Sequence, residues 1–233
     1  YTWFPDESQR PLRDRMKPEE KWTISDPNEM SRNIRKVAIF LGASLVGICK
    51  VDRRWLYSNS FHPHTHEHVP VDLPEEFEYA VVMAHEMNYE LIQTSPAFGG
   101  FASTGRGYSM MAFVASSLAH YIRSLGYKAI PSGNDTALSI PLAVDAGLGE
   151  LGRHGLLITE TFGPRVRLSK VFTNLPLVPD KAIELGVQAF CNQCKRCALE
   201  CPSRAISFGE PSTEGPTLSN NPGIYKWYIN PEK

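Results

Sequence analysis

The sequence has little cysteine, no long hydrophobic run and almost no net charge, and each shortage narrows what the protein can be. Its 233 residues include 24 lysines and arginines and 25 aspartates and glutamates, a net charge of −1. This balance leaves no broad basic surface for nucleic acid, and we expect no nucleic-acid partner. No uninterrupted apolar stretch reaches the roughly 18 residues typical of a membrane-spanning helix.

Four of the five cysteines lie in one short run near the carboxyl end. Cys191, Cys194, Cys197 and Cys201 have the C-x2-C-x2-C-x3-C-P spacing by which bacterial ferredoxins hold iron–sulfur clusters. The first three thiolates of such a run surround one cluster, and the fourth ligates a second one. Zinc and disulfide bonds are the alternatives, although structural zinc sites usually combine two short pairs of Cys or His ligands separated by a long loop. The spacing therefore favours an iron–sulfur site.

No second cysteine run completes the ligand set. The remaining cysteine, Cys49, lies in an apolar segment and is predicted to be a buried core thiol. Because the chain starts at Tyr1 rather than methionine and stops at Lys233 with the set unfinished, we expect an interior piece of a longer protein.

Hydrophobic periodicity predicts an α/β chain. The predicted helices span 29–41, 108–125 and 140–146. The predicted strands span 45–51, 79–84, 127–130, 156–160 and 167–172. Prolines indicate an extended arm at 1–27, a core at 28–178 and a cluster-bearing tail at 179–233.

Two glycine-rich segments are candidate binding loops. Residues 102–107 are predicted to form a flexible loop with free amide groups at a helix start, which suits a polar or anionic ligand. A simple turn is equally consistent, because no Gly-rich phosphate motif is matched in full. Residues 147–155 contain four glycines, which indicates that their backbone closely approaches another strand or a flat, bulky cofactor.

Histidines alternate through the segment His62–His68. On an extended strand they would point to one face and could bind a metal. Because prolines flank the segment and no second group of ligands accompanies it, a solvated loop is at least as consistent.

Several short motifs follow one another from Tyr108 to Cys201. They are Tyr108-Ser109, Leu125-Gly126-Tyr127, Gly133-Asn134-Asp135-Thr136, Ala146-Gly147-Leu148-Gly149-Glu150, Gly152-Arg153, Gly155-Leu156-Leu157-Ile158-Thr159, Phe162-Gly163-Pro164-Arg165 and Phe190-Cys191. Together they resemble the corrinoid-dependent, respiratory reductive dehalogenases. The resemblance extends from about Met30 to the end of the chain, whereas the arm before residue 28 carries no recognised motif.

The resemblance implies a fold, cofactors, partners and a location. The fold is a nitroreductase-like α/β core that binds a corrinoid without its lower axial base, followed by a ferredoxin-like module with two [4Fe-4S] clusters, incomplete in this chain. Reduced cobalt removes halide from an organohalide, and the clusters deliver the electrons. The implied partners are an electron-donor protein or quinone-linked chain and a membrane-anchor subunit. The implied location is the outer face of the cytoplasmic membrane.

The resemblance also assigns the catalytic residues. By position, Tyr108 matches the proton-donating tyrosine, Arg167 the arginine beside it, and Asn134 the neutral group that helps to hold the pair. Replacing carbon–halogen with carbon–hydrogen needs a proton, and an ordinary phenol keeps its proton at neutral pH until it is needed. A permanently charged arginine would stabilise the phenolate that remains. Without the resemblance, the three residues would equally suit a helix start, a surface strand and a turn.

Further residues are assigned to cofactor and substrate contact. A wide ring with many amide groups is held largely by backbone hydrogen bonds, so the corrinoid is assigned to Thr104, Gly147, Gly149, Gly152 and Arg153. Substrate selectivity is assigned to apolar side chains such as Trp55, Tyr57 and Phe98.

Two alternative functions remain. Epoxyqueuosine reductase shares the core, the corrinoid and the paired clusters but acts on transfer RNA, which would require an acidic proton donor and a basic surface. The charge balance and Tyr108 weigh against it. The other alternative is a non-catalytic electron-transfer or corrinoid-carrier protein, in which Tyr108 and Arg167 would have no chemical role.

Overall fold

The computed structural model describes residues 21–61 and 65–233, which form two compact units. The first contains the described residues up to Leu148 together with Arg165–Ala182, and the second contains Gly149–Pro164 and Ile183–Lys233. The predicted division into an arm at 1–27, a core at 28–178 and a tail at 179–233 stays a prediction. By their contacts, residues 149–164 group with residues 183–233. Most of the predicted arm lies outside the described residues. No helix in the described part is long and apolar enough to cross a membrane.

Helices and strands share the chain, as the sequence predicts. In order they are α1 (Pro27–Phe40), β1 (Leu45–Lys50), the 3-10 helix Arg53–Trp55, β2 (Asn59–Phe61), β3 (His68–Pro70), β4 (Tyr79–Glu86), α2 (Tyr89–Gln93), α3 (Phe98–Ser124), β5 (Ala129–Ser132), α4 (Ser139–Asp145), β6 (Glu150–Leu151), β7 (Leu157–Ile158), β8 (Val166–Thr173), α5 (Val187–Cys194) and α6 (Arg196–Leu199).

A four-stranded antiparallel sheet forms the centre of the first unit, in the order β1-β4-β8-β5. The central strands β4 and β8 pair from Tyr79 opposite Thr173 to Glu86 opposite Val166. Both strands are buried over most of their length, as the apolar run of β4 predicts for that strand. The order places β8, which carries Arg167, directly beside β5, which leads into the Asn134 turn.

Helices cover both faces of this sheet. On one face, Ile34 of α1 and Val114 of α3 share a core with Val81 of β4. Gly47 of β1 points to the opposite face, because side-chain directions alternate along a strand. A Cβ at Gly47 would lie 2.1 Å from the Ala146 carbonyl oxygen, so glycine permits this close packing at the end of α4.

Most predicted elements of the first unit are confirmed. The helix predicted over 29–41 is α1, and the strands predicted over 79–84 and 167–172 are β4 and β8. The strand predicted over 127–130 is shifted towards the carboxyl end as β5. Cys49 is a core thiol with 2% of its surface exposed, and burial raises its pKa to about 12.

The flexible loop predicted over 102–107 is wrong. These residues lie inside α3, which begins at Phe98, so Thr104 is not at a helix start with free amides. Glycine costs a helix about 1 kcal/mol relative to alanine, but tertiary packing routinely outweighs such propensities. Here two glycines permit close contacts: a Cβ at Gly100 would lie 2.3 Å from Ser95 Oγ, and one at Gly107 would lie 2.9 Å from Arg167 Cγ.

The second unit is smaller and has little regular structure. Its β6 and β7 form a short antiparallel pair, so the strand predicted over 156–160 is reduced to two residues. Val187, Cys191 and Trp227 form its core. The Glu150 carboxylate accepts backbone hydrogen bonds from Leu185 and Val187, which ties the β6 strand to the start of α5.

Candidate active site

Tyr108, Arg167 and Asn134 meet at one phenol oxygen. Arg167 Nη1 donates to the Tyr108 hydroxyl at 3.3 Å, and Asn134 Nδ2 donates to the same oxygen at 3.5 Å. The Arg167 guanidinium carbon lies 4.6 Å from the centre of the Tyr108 ring. Two donors, one of them charged, therefore face the oxygen of a group that the sequence predicts to release a proton. The role of each residue stays a prediction.

Three different elements bring these residues together. Tyr108 lies on α3, Arg167 is the second residue of β8, and Asn134 follows β5. The helix packs against both strands. Gly107 makes the approach possible, since any larger residue there would collide with the Arg167 side chain. Tyr108 remains 39% exposed, so the phenol is open on one side.

Arg167 brings an unneutralised charge to this site. In the described part of the chain no carboxylate forms an ion pair with it, and its Nε atom is buried without a hydrogen-bond partner. A cation without a competing anion is fully available to a neighbouring oxygen. A phenolate at Tyr108 would therefore be stabilised by both charge and hydrogen bonds.

A buried lysine that the sequence analysis missed holds the Asn134 turn. Lys170 of β8 donates from Nζ to the Gly133 carbonyl at 2.6 Å and to Ser139 Oγ at 3.0 Å. It is fully buried, and burial lowers its pKa to about 8 although the charge of Asp135 acts in the opposite direction. The signal that could have revealed it is a lysine among the mostly buried residues of a central strand, where lysine is rarely found.

A second missed feature is the buried pair of His85 and Ser169, whose Nε2 and Oγ atoms lie 2.8 Å apart. His85 of β4 is directly opposite Arg167 of β8 in the sheet. Burial lowers the pKa of His85 to about 4, so the ring is neutral at physiological pH. It therefore adds no second positive charge beside Arg167.

Of the predicted substrate residues, Phe98 lies on the same helix as Tyr108, and Tyr57 is bonded to the turn that carries Asn134. Phe98, Phe101 and Tyr108 share one helix face by their spacing, and the two phenylalanines are 86% and 72% exposed. The Tyr57 amide donates to the Thr136 carbonyl, which joins Tyr57 to the Asn134 turn.

Trp55, the third predicted substrate residue, is fixed by a hydrogen bond. Its indole Nε1 donates to Asp145 Oδ2 at 3.0 Å, and its carbonyl accepts from Leu138. The residue is half-buried. Trp55 and Tyr57 thus lie on one segment that pairs with the chain after the Asn134 turn.

The residues assigned to the corrinoid fall in both units. Thr104 of α3 directs its hydroxyl to the Met87 sulfur at 3.9 Å. Gly147 and Gly149 approach the protein's own backbone. A Cβ at Gly147 would lie 2.6 Å from the Lys181 carbonyl oxygen, and a Cβ at Gly149 would lie 2.2 Å from the Ile158 carbonyl oxygen.

The remaining two assigned residues lie in the second unit. A Cβ at Gly152 would lie 2.7 Å from Ile158 Cδ1. Arg153 is fully buried and donates to the Cys191 carbonyl, a contact that the assignment to the corrinoid did not anticipate. The close approaches of these glycines are thus to the protein itself, and corrinoid contact stays a prediction for all five residues.

The cysteine run lies on α5, α6 and the segment after them. All four cysteines are free thiols, so the disulfide alternative finds no support. Lys195 adopts a left-handed conformation with φ 49° and turns the chain between Cys194 and Cys197. The Ser203 hydroxyl and then backbone amides, Ala205 foremost, lower the pKa of Cys201 to about 7. These donors favour the thiolate, which is the form that binds metals.

Among the described residues, no three or more His, Cys, Asp or Glu side chains are placed to hold a metal ion. This finding concerns a single ion, whereas the thiolates of a cubane each bind a different iron. Four free thiols in ferredoxin spacing fit a cluster in their donor chemistry.

The histidine segment is described only in part, because His62 and His64 lie outside the described residues. His66 and His68 are exposed, and their rings lie 5.9 Å and 5.3 Å from the Phe61 ring. Metal binding by this segment stays a prediction.

Comparison with solved structures defines the class of fold. A catabolic reductive dehalogenase in complex with 3-bromo-4-hydroxybenzoic acid matches with a TM-score of 0.77 and 31% identity, covering 90% of this chain and 29% of that chain. Epoxyqueuosine reductase from Streptococcus thermophilus matches with a TM-score of 0.53 and 18% identity, covering 77% of this chain and 54% of that chain. The latter likeness extends to the fold alone. The class is therefore the α/β fold of these reductases.

Comparison with curated proteins narrows this class to one family. The tetrachloroethene reductive dehalogenase of Desulfitobacterium hafniense is 40% identical in an alignment that covers 92% of this chain and 46% of the relative. No family model matches the chain. The chain belongs to the reductive dehalogenases. It spans about half the length of the curated relatives that it matches.

Proposed function

We propose that this chain forms part of an oxidoreductase that removes halide from an organohalide by reduction. The observation that carries the proposal is the contact of Arg167 and Asn134 with the Tyr108 hydroxyl, in a chain 40% identical to a tetrachloroethene reductive dehalogenase. In the balanced reaction the organohalide takes up two electrons and one proton, the carbon–halogen bond breaks, a carbon–hydrogen bond forms, and halide leaves.

Tyr108 supplies the proton in this proposal. Its hydroxyl transfers the proton to the carbon that loses halide, and the phenolate that remains accepts hydrogen bonds from Arg167 Nη1 and Asn134 Nδ2. Fixed donors aimed at a developing negative charge typically contribute a factor of about 10² to 10³ in rate each. The exposed side of the ring lets solvent return the proton for the next turnover.

The proposed cofactor at this site is a corrinoid without its lower base, which would supply reduced cobalt as the immediate source of electrons. The fit is supported by two buried polar atoms that have no hydrogen-bond partner in the described part of the chain, Arg167 Nε and Ser103 Oγ. The open face of α3 that carries Phe98 and Phe101 supports it as well. Of the residues that the sequence assigns to the corrinoid, Thr104 lies on this helix and would contact it, whereas contact by Gly147, Gly149, Gly152 and Arg153 stays a prediction.

The proposed electron path consists of iron–sulfur clusters in a ferredoxin-like module. Cys191, Cys194 and Cys197 would bind one cluster, and Cys201 would bind a second whose remaining ligands lie outside this sequence. The spacing and the four free thiols support this part of the proposal.

The proposed partners and location come from the family resemblance. They are an electron-donor protein or quinone-linked chain, a membrane-anchor subunit, and a location on the outer face of the cytoplasmic membrane.

The test uses the complete polypeptide, purified without oxygen and loaded with corrinoid. Halide release is measured with chloroethenes and with chlorinated phenols, and a transfer RNA carrying epoxyqueuosine serves as the alternative substrate. We expect halide release from at least one organohalide and no change to the transfer RNA. Reduction of epoxyqueuosine without any halide release by the loaded protein would overturn the proposal.

The assignment of Tyr108 is tested in the same assay. Tyr108→Phe keeps the ring but removes the proton, so dehalogenation should fall to background while the corrinoid and cluster absorbance stay unchanged. Full turnover by the phenylalanine variant would refute the assignment.

A further inference from the structure

Arg153 is a buried cation without an anionic partner. None of its surface is exposed, and no carboxylate of the described residues forms an ion pair with it. A buried charge is strongly unfavourable unless an opposite charge compensates it. The second unit therefore needs an anion near this guanidinium.

The hydrogen bonds of Arg153 leave one nitrogen unused. Nε donates to the Cys191 carbonyl at 3.0 Å, and Nη1 donates to the carbonyls of Ser207 at 2.7 Å and Gly209 at 2.9 Å. Nη2 is buried and has no hydrogen-bond partner among residues 21–61 and 65–233. Since a guanidinium offers five N–H donors, the two of Nη2 remain available to an acceptor that these residues do not supply.

The surroundings hold the guanidinium in place at the cysteine run. Its carbon lies 4.4 Å from the centre of the Trp227 ring, and Trp227 Nε1 donates to Gly209 at 3.0 Å. Cys191, whose carbonyl Arg153 binds, packs in the same small core as Trp227. A rigid cation is thus held against the backbone of Cys191, one of the three cysteines proposed to bind one cluster.

We propose that Arg153 is a positioning residue whose buried charge balances the thiolate-bound iron–sulfur cluster of the Cys191–Cys197 run and raises its reduction potential. The inference rests on the proposed function, because it takes the cluster from there. A thiolate-ligated cluster is an anion, and each added electron makes it more negative. A fixed cation with free N–H donors stabilises the reduced state more than the oxidised one, which is how hydrogen bonds and charge tune such clusters.

Three variants separate charge from packing. Arg153→Lys keeps the charge but loses the planar fork, Arg153→Gln keeps hydrogen bonding without the charge, and Arg153→Met keeps only apolar volume. The matched control is Arg196→Met, which removes the same charge from an exposed position of the same cysteine run, where water screens it.

The measurement is a redox titration of the complete polypeptide, purified without oxygen and followed by electron paramagnetic resonance, with iron and acid-labile sulfide counted in each variant. We expect Arg153→Gln and Arg153→Met to shift the one-electron equilibrium about tenfold towards the oxidised cluster, which is about 59 mV. Arg153→Lys should recover most of the wild-type potential, and Arg196→Met should shift it much less.

A purely structural role for Arg153 predicts different results. Full iron content with an unchanged potential in Arg153→Gln or Arg153→Met would overturn the inference. If Arg153→Met does not fold, the comparison of lysine with glutamine decides, and equal potentials of these two variants would refute it. A wild-type protein without iron and sulfide would instead refute the proposed clusters, so the two failures are distinguishable.

Discussion

Gly107 and Arg167 are in direct contact, and the absence of a side chain at Gly107 sets the position of the Arg167 side chain. A Cβ on Gly107 would lie 2.9 Å from Arg167 Cγ and 3.6 Å from Arg167 Cβ. Because Tyr108 is the next residue on α3, this contact controls the distance between the phenol and the guanidinium. The position of Arg167 therefore depends on a glycine that local sequence rules treat as a helix breaker.

Gly107→Ala should lower activity more than stability. The added methyl group must displace the stem of Arg167, so we expect at least about a tenfold fall in kcat/KM, which is about 1.4 kcal/mol of transition-state stabilisation. Alanine favours a helix by about 1 kcal/mol, which offsets part of the strain in the fold. Halide-release kinetics and thermal unfolding measure the two effects.

The matched control for stability is Gly105→Ala on the same helix, where a Cβ would meet no atom within 4 Å. That variant should raise the unfolding temperature, because it has the helix benefit without the collision. Equal activity of Gly107→Ala and the wild type would contradict the assigned contact.

Removing the charge of Arg167 should lower kcat/KM more than removing the amide of Asn134. Arg167→Met leaves the phenolate without its cation, and we expect kcat/KM to fall by about 10² to 10³, the typical cost of losing a donor to a developing oxyanion. Asn134→Ala removes a longer, neutral hydrogen bond and should cost less. Steady-state halide release gives both values. The reverse order of effects would show that Arg167 does not stabilise the phenolate.

The buried Lys170 should make stability depend on pH. Its pKa is about 8 in the folded protein against 10.5 ordinarily, because burial disfavours the charged amine. Between these values the unfolded chain binds more protons than the folded one, so the contribution of Lys170 to stability rises with pH and is lost as pH falls through about 8.

Urea unfolding at several pH values tests this dependence, with Lys170→Met as the reference that lacks the group. The difference in free energy of unfolding between wild type and variant should move in favour of the wild type from about pH 8 upward. A difference that does not change with pH would mean that the amine has its ordinary pKa.

The cysteines should divide into two functional groups. Cys194→Ser should remove one cluster and Cys201→Ser should affect another, because the fourth cysteine of a ferredoxin run ligates the second cluster. Iron content and the number of distinct paramagnetic signals after reduction measure this. Cys49→Ala, at a buried thiol of the other unit, should keep the full iron content. Loss of the same signal from both serine variants would refute the division.

Periodicity and apolar runs were enough to predict α1, β4 and β8, because each of these elements is buried on a regular pattern that the sequence carries locally. The cysteine spacing likewise predicted a ferredoxin-type ligand set, and the motifs from Tyr108 onward led to the family that the comparisons confirm. The contact of Tyr108, Arg167 and Asn134 came from that resemblance, since nothing in the local sequence joins residues 59 and 26 positions apart.

Contacts between residues distant in sequence decided the structure of the segments that local patterns did not predict. Residues 102–107 became helix, because packing of Gly107 on Arg167 outweighs the low propensity of glycine. Residues 149–164 joined the cysteine-bearing unit, where Arg153 reaches the carbonyls of Cys191 and Ser207. The linear chain thus determined which side chains are candidates for the chemistry. Only the tertiary structure decided which of them meet, because burial, close approach and an unpaired charge are properties of neighbours in space.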